Sequence, residues 1–143
     1  MFHVLLPVDS DSERANAAAS AVIDLPRPSE TVEVTVLHVL EEPDRTGGDG
    51  MRITAEDLYE AGEFPESVTG VVEQLETHDI EVETRQSVGE PADTIVEVAA
   101  ELDVDRITLA GRKRTPVGKA VFGSVTQSVL RAADVPVTVT LDG

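Results

Sequence analysis

Val4-Leu5-Leu6-Pro7-Val8 is apolar at every position, and such a run limits the available folds more than any other feature of the chain. A strand with one wet face alternates apolar and polar residues. A strand without alternation is buried on both faces and needs a covering layer above and below. Val32 to Leu40 starts by alternating and then becomes almost continuously apolar, with further strand-like runs at Ile80 to Ser87, Arg106 to Ala110 and Val135 to Leu141. Helical patterns separate them. One runs from about Glu13 to Asp24 with an alanine-rich face (Ala15, Ala18, Ala19), and another from about Glu66 to Thr77. A third places Ile95, Val98, Ala99 and Leu102 at i, i+3, i+4 and i+7, and a fourth opens at Gly123-Ser124 with Val125, Val129 and Leu130 as its apolar residues. The order β-α-β-α-β-α-β-α-β predicts an α/β fold: an open, mostly parallel five-stranded sheet with helices on both faces. At 143 residues the whole chain, 1–143, is expected to form one domain.

The boundaries carry their own signals. Asp9-Ser10-Asp11-Ser12 is rich in helix-capping residues; Asp11 and Ser12 are the natural caps, which leaves Asp9 free. Pro26 and Pro28 end the first helix. Pro43, Gly47, Gly48 and Gly50 mark Glu41 to Gly50 as a mobile loop, with helical content resuming near Ala55 and interrupted around Gly62 and Pro65. Gly89-Glu90 is a turn, with Pro91 placed to start a helix. The alternation in Ile80 to Ser87 reads as a half-exposed strand towards an edge.

Lys and Arg number only 11, and four of them (Arg112, Lys113, Arg114 and Lys119) fall in the segment that joins the fourth strand to the last helix. This segment begins at Gly111, where the strand is expected to stop, and ends at Gly123-Ser124. A strand, a glycine- and cation-rich loop and a helix N-terminus together form an anion cradle, because unpaired N–H groups and the positive helix end converge. The same Ser124-Val-Thr-Gln127 stretch reads as a capping box. Three histidines (His3, His38 and His78) are scattered without ligand-like spacing, so no metal site is expected. His38, in a strand ending, is expected to pack or to lie near the crevice beyond the strands. No triad, nucleophile elbow, acid–base carboxylate pair or P-loop is present, and no enzyme activity is expected.

Composition narrows the setting. Asp and Glu number 28, giving a net charge of −17, and only Lys113 and Lys119 are lysines. Dense carboxylate with little lysine suits concentrated salt, where the screening length falls to about 3 Å at 1 M; we read the chain as halophilic. The acidic surface argues against nucleic-acid binding. No apolar run is long enough to span a membrane, the start does not resemble a signal peptide, and no cysteine occurs. A cytoplasmic location is the expectation.

Over nearly its whole length the sequence resembles the universal stress protein family. The resemblance rests on Pro7-Val8-Asp9 at the end of strand one, Leu37-His38-Val39 at the end of strand two, and Gly89-Glu90-Pro91 with Ile95. It is completed by Gly111 to Ser124 followed by Val135-Pro136-Val137. It implies strand order 3-2-1-4-5 and, as in many members, bound ATP, with Mg²⁺ as a bridging candidate. In that arrangement adenine packs near Val8 and the backbone of Val39, and Asp9 meets the nucleoside. The phosphates lie over Gly111, Gly123 and Ser124 at the helix start that continues into Val125, with Arg112, Arg114 and Gly118 in the loop. ATP-binding members carry glycine at the third position after the one matching Gly111; this chain has Arg114 there, and its loop is one residue shorter. Arg114 either obstructs the phosphates or supplies charge to them, and Gly118 is a partial substitute for the glycine. Two readings follow: a nucleotide-binding stress-response or signalling module, or an interaction protein on the same fold that docks to a partner without nucleotide.

The resemblance also implies a homodimer paired through Val135 to Leu141, an apolar edge strand of the kind that templates pairing, with Val137 and Val139 buried between copies. Light scattering at micromolar concentration in high salt is expected to give twice the chain mass, and a monomer there removes this expectation. Salt supplies a second check. Screening lengths grow to about 30 Å at 0.01 M, so carboxylate repulsion is expected to weaken the fold on dilution of salt. The melting temperature then rises with KCl into the molar range, and a flat profile counts against the halophile reading.

Overall fold

In the computed structural model, which describes residues 1–41, 64–112 and 123–142, one five-stranded parallel sheet is sandwiched between helices. The elements in chain order are β1 (Phe2–Pro7), α1 (Ser12–Ile23), the single-turn α2 (Pro28–Thr31), β2 (Val32–Leu40), α3 (Glu66–Thr77), β3 (Glu81–Val88), α4 (Pro91–Leu102), β4 (Arg106–Arg112), α5 (Ser124–Ala132) and β5 (Val137–Asp142). The sheet order is β3-β2-β1-β4-β5, as the family resemblance implies. The loop read between Glu41 and Gly50 falls beyond Glu41 outside the described residues, as do the helical content near Ala55 and both Arg114 and Gly118.

β1 is central. It pairs in parallel with β2 from Phe2↔Val32 to Pro7↔Leu37, and with β4 at Val4↔Arg106 and Leu5↔Ile107. Its alternate residues feed two separate cores. Val4 and Leu6 pack with Val34 and Val36 under α1 and α3, which contribute Ala18, Ala19, Val22, Val71 and Leu75. Leu5 packs with Leu37, Ile107 and Leu109 under α4 and α5, which contribute Ile95, Val98 and Val129. The alanines of α1 let that helix approach the sheet closely. Pro7, which has no N–H, stands at the last position of its strand, and the next N–H, from Val8, donates to Leu37 O at 2.8 Å.

Two boundaries and one packing face depart from the sequence reading. β4 does not stop at Gly111 but runs on through Arg112, because β5 continues beside it and supplies partners at Gly111↔Leu141 and Arg112↔Asp142. α5 starts one residue earlier than a capping box allows. Gly123, extended at φ −65° and ψ 164°, is the N-cap, and its carbonyl accepts from Gln127 N–H at 3.1 Å. Ser124 is therefore the first helical residue and not the cap. Val125 and Leu130 do not reach the core; Thr126 and Val129 do, leaving Val125 36% and Leu130 44% exposed. Among the described residues no helix is long and apolar enough to cross a membrane.

The turn into α4 depends on one glycine. Gly89 has φ +155°, and its N–H donates to Leu40 O at 2.9 Å, tying the end of β3 to the end of β2. A Cβ here would stand 2.6 Å from Thr94 Oγ1 on the first turn of α4. Gly89→Ala is expected to cost about 2 kcal/mol, combining backbone strain with the steric contact. In urea denaturation, Thr94→Ala in the same chain should recover only the contact part. Unchanged stability in Gly89→Ala would contradict this account.

Candidate functional site

The strand order reverses at β1. From there the chain builds outward through β2 and β3, then returns to β4 and builds the other way. β1 leads into α1 on one face of the sheet, while β4 leads towards α5 on the opposite face, so the two connections part and leave a crevice between the strand ends. The crevice is a cleft of about 440 Å³, within the usual range of roughly 300–1,000 Å³ for small-molecule sites. Its apolar floor comes from Leu37, Val39, Leu109 and Ala110, with Pro91 and Ile95 of α4 on one side. Asp9, Arg14 and Glu41 bring charge to it, and the first residues of α5, Gly123 to Thr126, face it.

The turn after β1 is clamped from several directions. Val8 O accepts from His38 Nδ1 at 3.2 Å, with the proton on that nitrogen. The carbonyl of Asp9 accepts from the hydroxyl of Ser67, a buried residue in the first turn of α3. The Asp9 carboxylate is held as well: Oδ1 accepts from Asp11 N–H at 2.9 Å, and Oδ2 from Arg14 Nη2 at 2.7 Å. Asp11 itself caps α1, its Oδ1 accepting from Arg14 N–H at 3.0 Å. Position and rotamer of Asp9 are thus fixed before any ligand arrives.

With glycine at the N-cap of α5 there is no side-chain cap hydrogen bond, and the N–H groups of a first helical turn have no partners within the helix. Among the described residues, a Cβ built on Gly123 meets nothing within 4 Å. Ser124 is exposed, and its hydroxyl is not consumed as an N-cap.

Of the residues singled out from sequence, Val8, Asp9, Val39, Gly123, Ser124 and Val125 all line this one cleft. Gly111 is buried at the end of β4, just beyond the cleft-lining Leu109 and Ala110, and Arg112 follows it in the strand. Sequence reasoning missed Arg14, Ser67 and Glu41. For Arg14 a signal was present: a cation in the first turn of a helix opposes the macrodipole, which points to a nearby carboxylate partner. Ser67 gave none, since its partner lies 58 positions away. A larger, more open groove of about 790 Å³ follows the free edge of β3, crossed by the Arg85–Glu101 ion pair at 2.6 Å. It lies at the rim of the sheet, away from the order reversal. Among the described residues no group of three or more His, Asp or Glu is placed to hold a metal ion.

A doubly wound parallel sheet of order 3-2-1-4-5, with an apolar cleft at its order reversal faced by a glycine-capped helix start, defines the class: an open α/β architecture whose ligand crevice lies beyond the carboxyl ends of its strands. The sequence profile of the universal stress protein family matches residues 1–140, and the chain belongs to that family. Among solved structures it is similar to a universal stress protein from Archaeoglobus fulgidus, at 32% identity and TM-score 0.74, covering 98% of both chains. A structure of the universal stress protein from the same organism in complex with dAMP is 28% identical, with TM-score 0.69 and 98% of both chains covered. The hypothetical protein MJ0577 is 26% identical, with TM-score 0.74, covering 99% of this chain and 96% of the other. No curated protein matches the chain.

Proposed function

We propose that the cleft binds an adenine nucleotide, ATP in the cell with Mg²⁺ as a candidate companion, and that the protein acts as a nucleotide-binding stress-response or signalling module. One observation carries the reading. The end of β1, the end of β2 and the start of α5, three segments far apart in sequence, meet in one cleft with an apolar floor and a glycine-capped helix start. A flat aromatic base fits the floor near Val8 and Val39. Asp9 accepts from the sugar side, because a carboxylate repels phosphate. The phosphates lie towards Gly123 and Ser124, whose backbone N–H groups and hydroxyl donate to anionic oxygens. The complex of a 28% identical relative with dAMP supports the ligand class. Arg112 follows Gly111 at the end of β4, and the cationic segment beyond it offers further charge to a polyphosphate. Pairing of two copies through the free edge of β5 belongs to the same proposal.

Mass spectrometry of ligands released from protein purified without added nucleotide is expected to detect an adenine nucleotide. Calorimetric titration of ligand-free protein with Mg-ATP should give saturable heat. Gly123→Val places a branched side chain in the open space over the helix start; binding is lost while stability changes by about 1 kcal/mol or less. Ser124→Ala weakens binding without loss of a cap. Arg114→Gly raises affinity if Arg114 obstructs the loop and lowers it if Arg114 clamps phosphate. No heat from any of these folded, ligand-free proteins would remove the nucleotide reading and favour the docking module.

A further inference from the structure

We propose that Arg14 is the positioning residue of the cleft: it holds Asp9 ready to accept from the ligand and cancels the charge that would otherwise repel a nucleotide. The inference rests on the nucleotide reading and goes beyond it, since it assigns a role to a residue outside the motifs that suggested that reading.

Arg14 occupies the third position of α1, where the helix dipole disfavours a cation. It stays because carboxylates surround it: Nη2 lies 2.7 Å from Asp9 Oδ2, and Nη1 lies 3.9 Å from Asp11 Oδ2. The pair is unequally buried. The Arg14 side chain is 19% exposed and that of Asp9 is 59% exposed, so the cation forms part of the wall and the carboxylate stands out into the cleft mouth. Both groups that bind the Asp9 carboxylate, the Arg14 guanidinium and the Asp11 N–H, belong to the beginning of α1. Each takes one acceptor site, and about two of the four remain for donors arriving from the ligand. A carboxylate pinned on one side in this way donates no hydrogen bond of its own and selects for hydroxyl or amino donors, such as a sugar offers.

Charge gives the second half of the argument. The chain carries −17 overall, and Asp9 and Glu41 both face the cleft. An anionic ligand entering there meets repulsion unless the nearest carboxylate is neutralised locally. Arg14 does so through a charge-assisted contact, and its planar fork also fixes the direction of the acceptor.

The test uses adenosine, which has no phosphate and so isolates the Asp9 end of the site. Adenosine is titrated into the ligand-free parent, Arg14→Gln, Arg14→Lys, Asp9→Asn and the Arg14→Gln/Asp9→Asn double variant, with melting curves showing that each is folded. Arg14→Gln is expected to weaken adenosine about tenfold, and Arg14→Lys to retain part of that loss. In the Asp9→Asn background, the added Arg14→Gln change should alter affinity by less than about twofold, because Arg14 then has no carboxylate to position. Unchanged affinity in folded Arg14→Gln overturns the inference alone, and so does an equal loss in the presence and absence of Asp9. A parent that binds neither adenosine nor Mg-ATP overturns the nucleotide reading itself.

Discussion

Every other part of the molecule depends on β1 having no free side. Its two edges are hydrogen-bonded to β2 and β4, and its two faces are buried in separate cores. Val4, Leu5 and Leu6 have no solvent exposure at all, and truncating a leucine so placed costs roughly 2–5 kcal/mol. Only the carboxyl end of the strand escapes, and that end is where the cleft forms. The same burial that makes β1 rigid makes its last residues a fixed reference for everything arranged around them.

The clamp on Val8 and Asp9 extends that rigidity outward by two residues. His38 from β2, Ser67 from α3 and Arg14 from α1 each reach the turn from a different element. No single one of these contacts is strong, since an exposed ion pair contributes about 0–1 kcal/mol. Together they fix a carboxylate whose orientation matters more than its contribution to stability. The opposite wall has no such side-chain clamp among the described residues. Glycine caps α5, so the donors of that helix start are not satisfied by its own cap. One wall is an acceptor held ready and the other is a set of donors, which is the polarity a nucleotide requires.

Much of this was legible in the residues. The uninterrupted apolar run at Val4 marked the central strand, the Ile95 periodicity marked α4, and the alternation of elements predicted a parallel sheet whose strand order the family resemblance implied. The six cleft residues that the structure brings together were all at element ends that turn chemistry or the family resemblance had marked. The misreadings were local. Ser124 looked like a cap because the Ser-x-x-Gln pattern does not reveal that an extended glycine one residue earlier can take the place. Gly111 looked like a strand terminus because the length of β4 is set by β5, and a neighbour's reach is not written in the strand itself. Ser67 was invisible for the same reason, its meaning coming entirely from a distant carbonyl.

The two rims of the sheet are chemically unequal. β3 exposes Glu81 and Glu83, whereas Val137 and Val139 on β5 are half-buried and apolar. A sheet with two adhesive rims adds copies without end and grows into a fibre. Here carboxylates guard one rim, so the pairing proposed above has only the β5 rim to use. Two copies meeting through β5 about a twofold axis use up the adhesive rim of each and leave an acidic rim at both ends. The geometry is self-limiting, and assembly by this route stops at two.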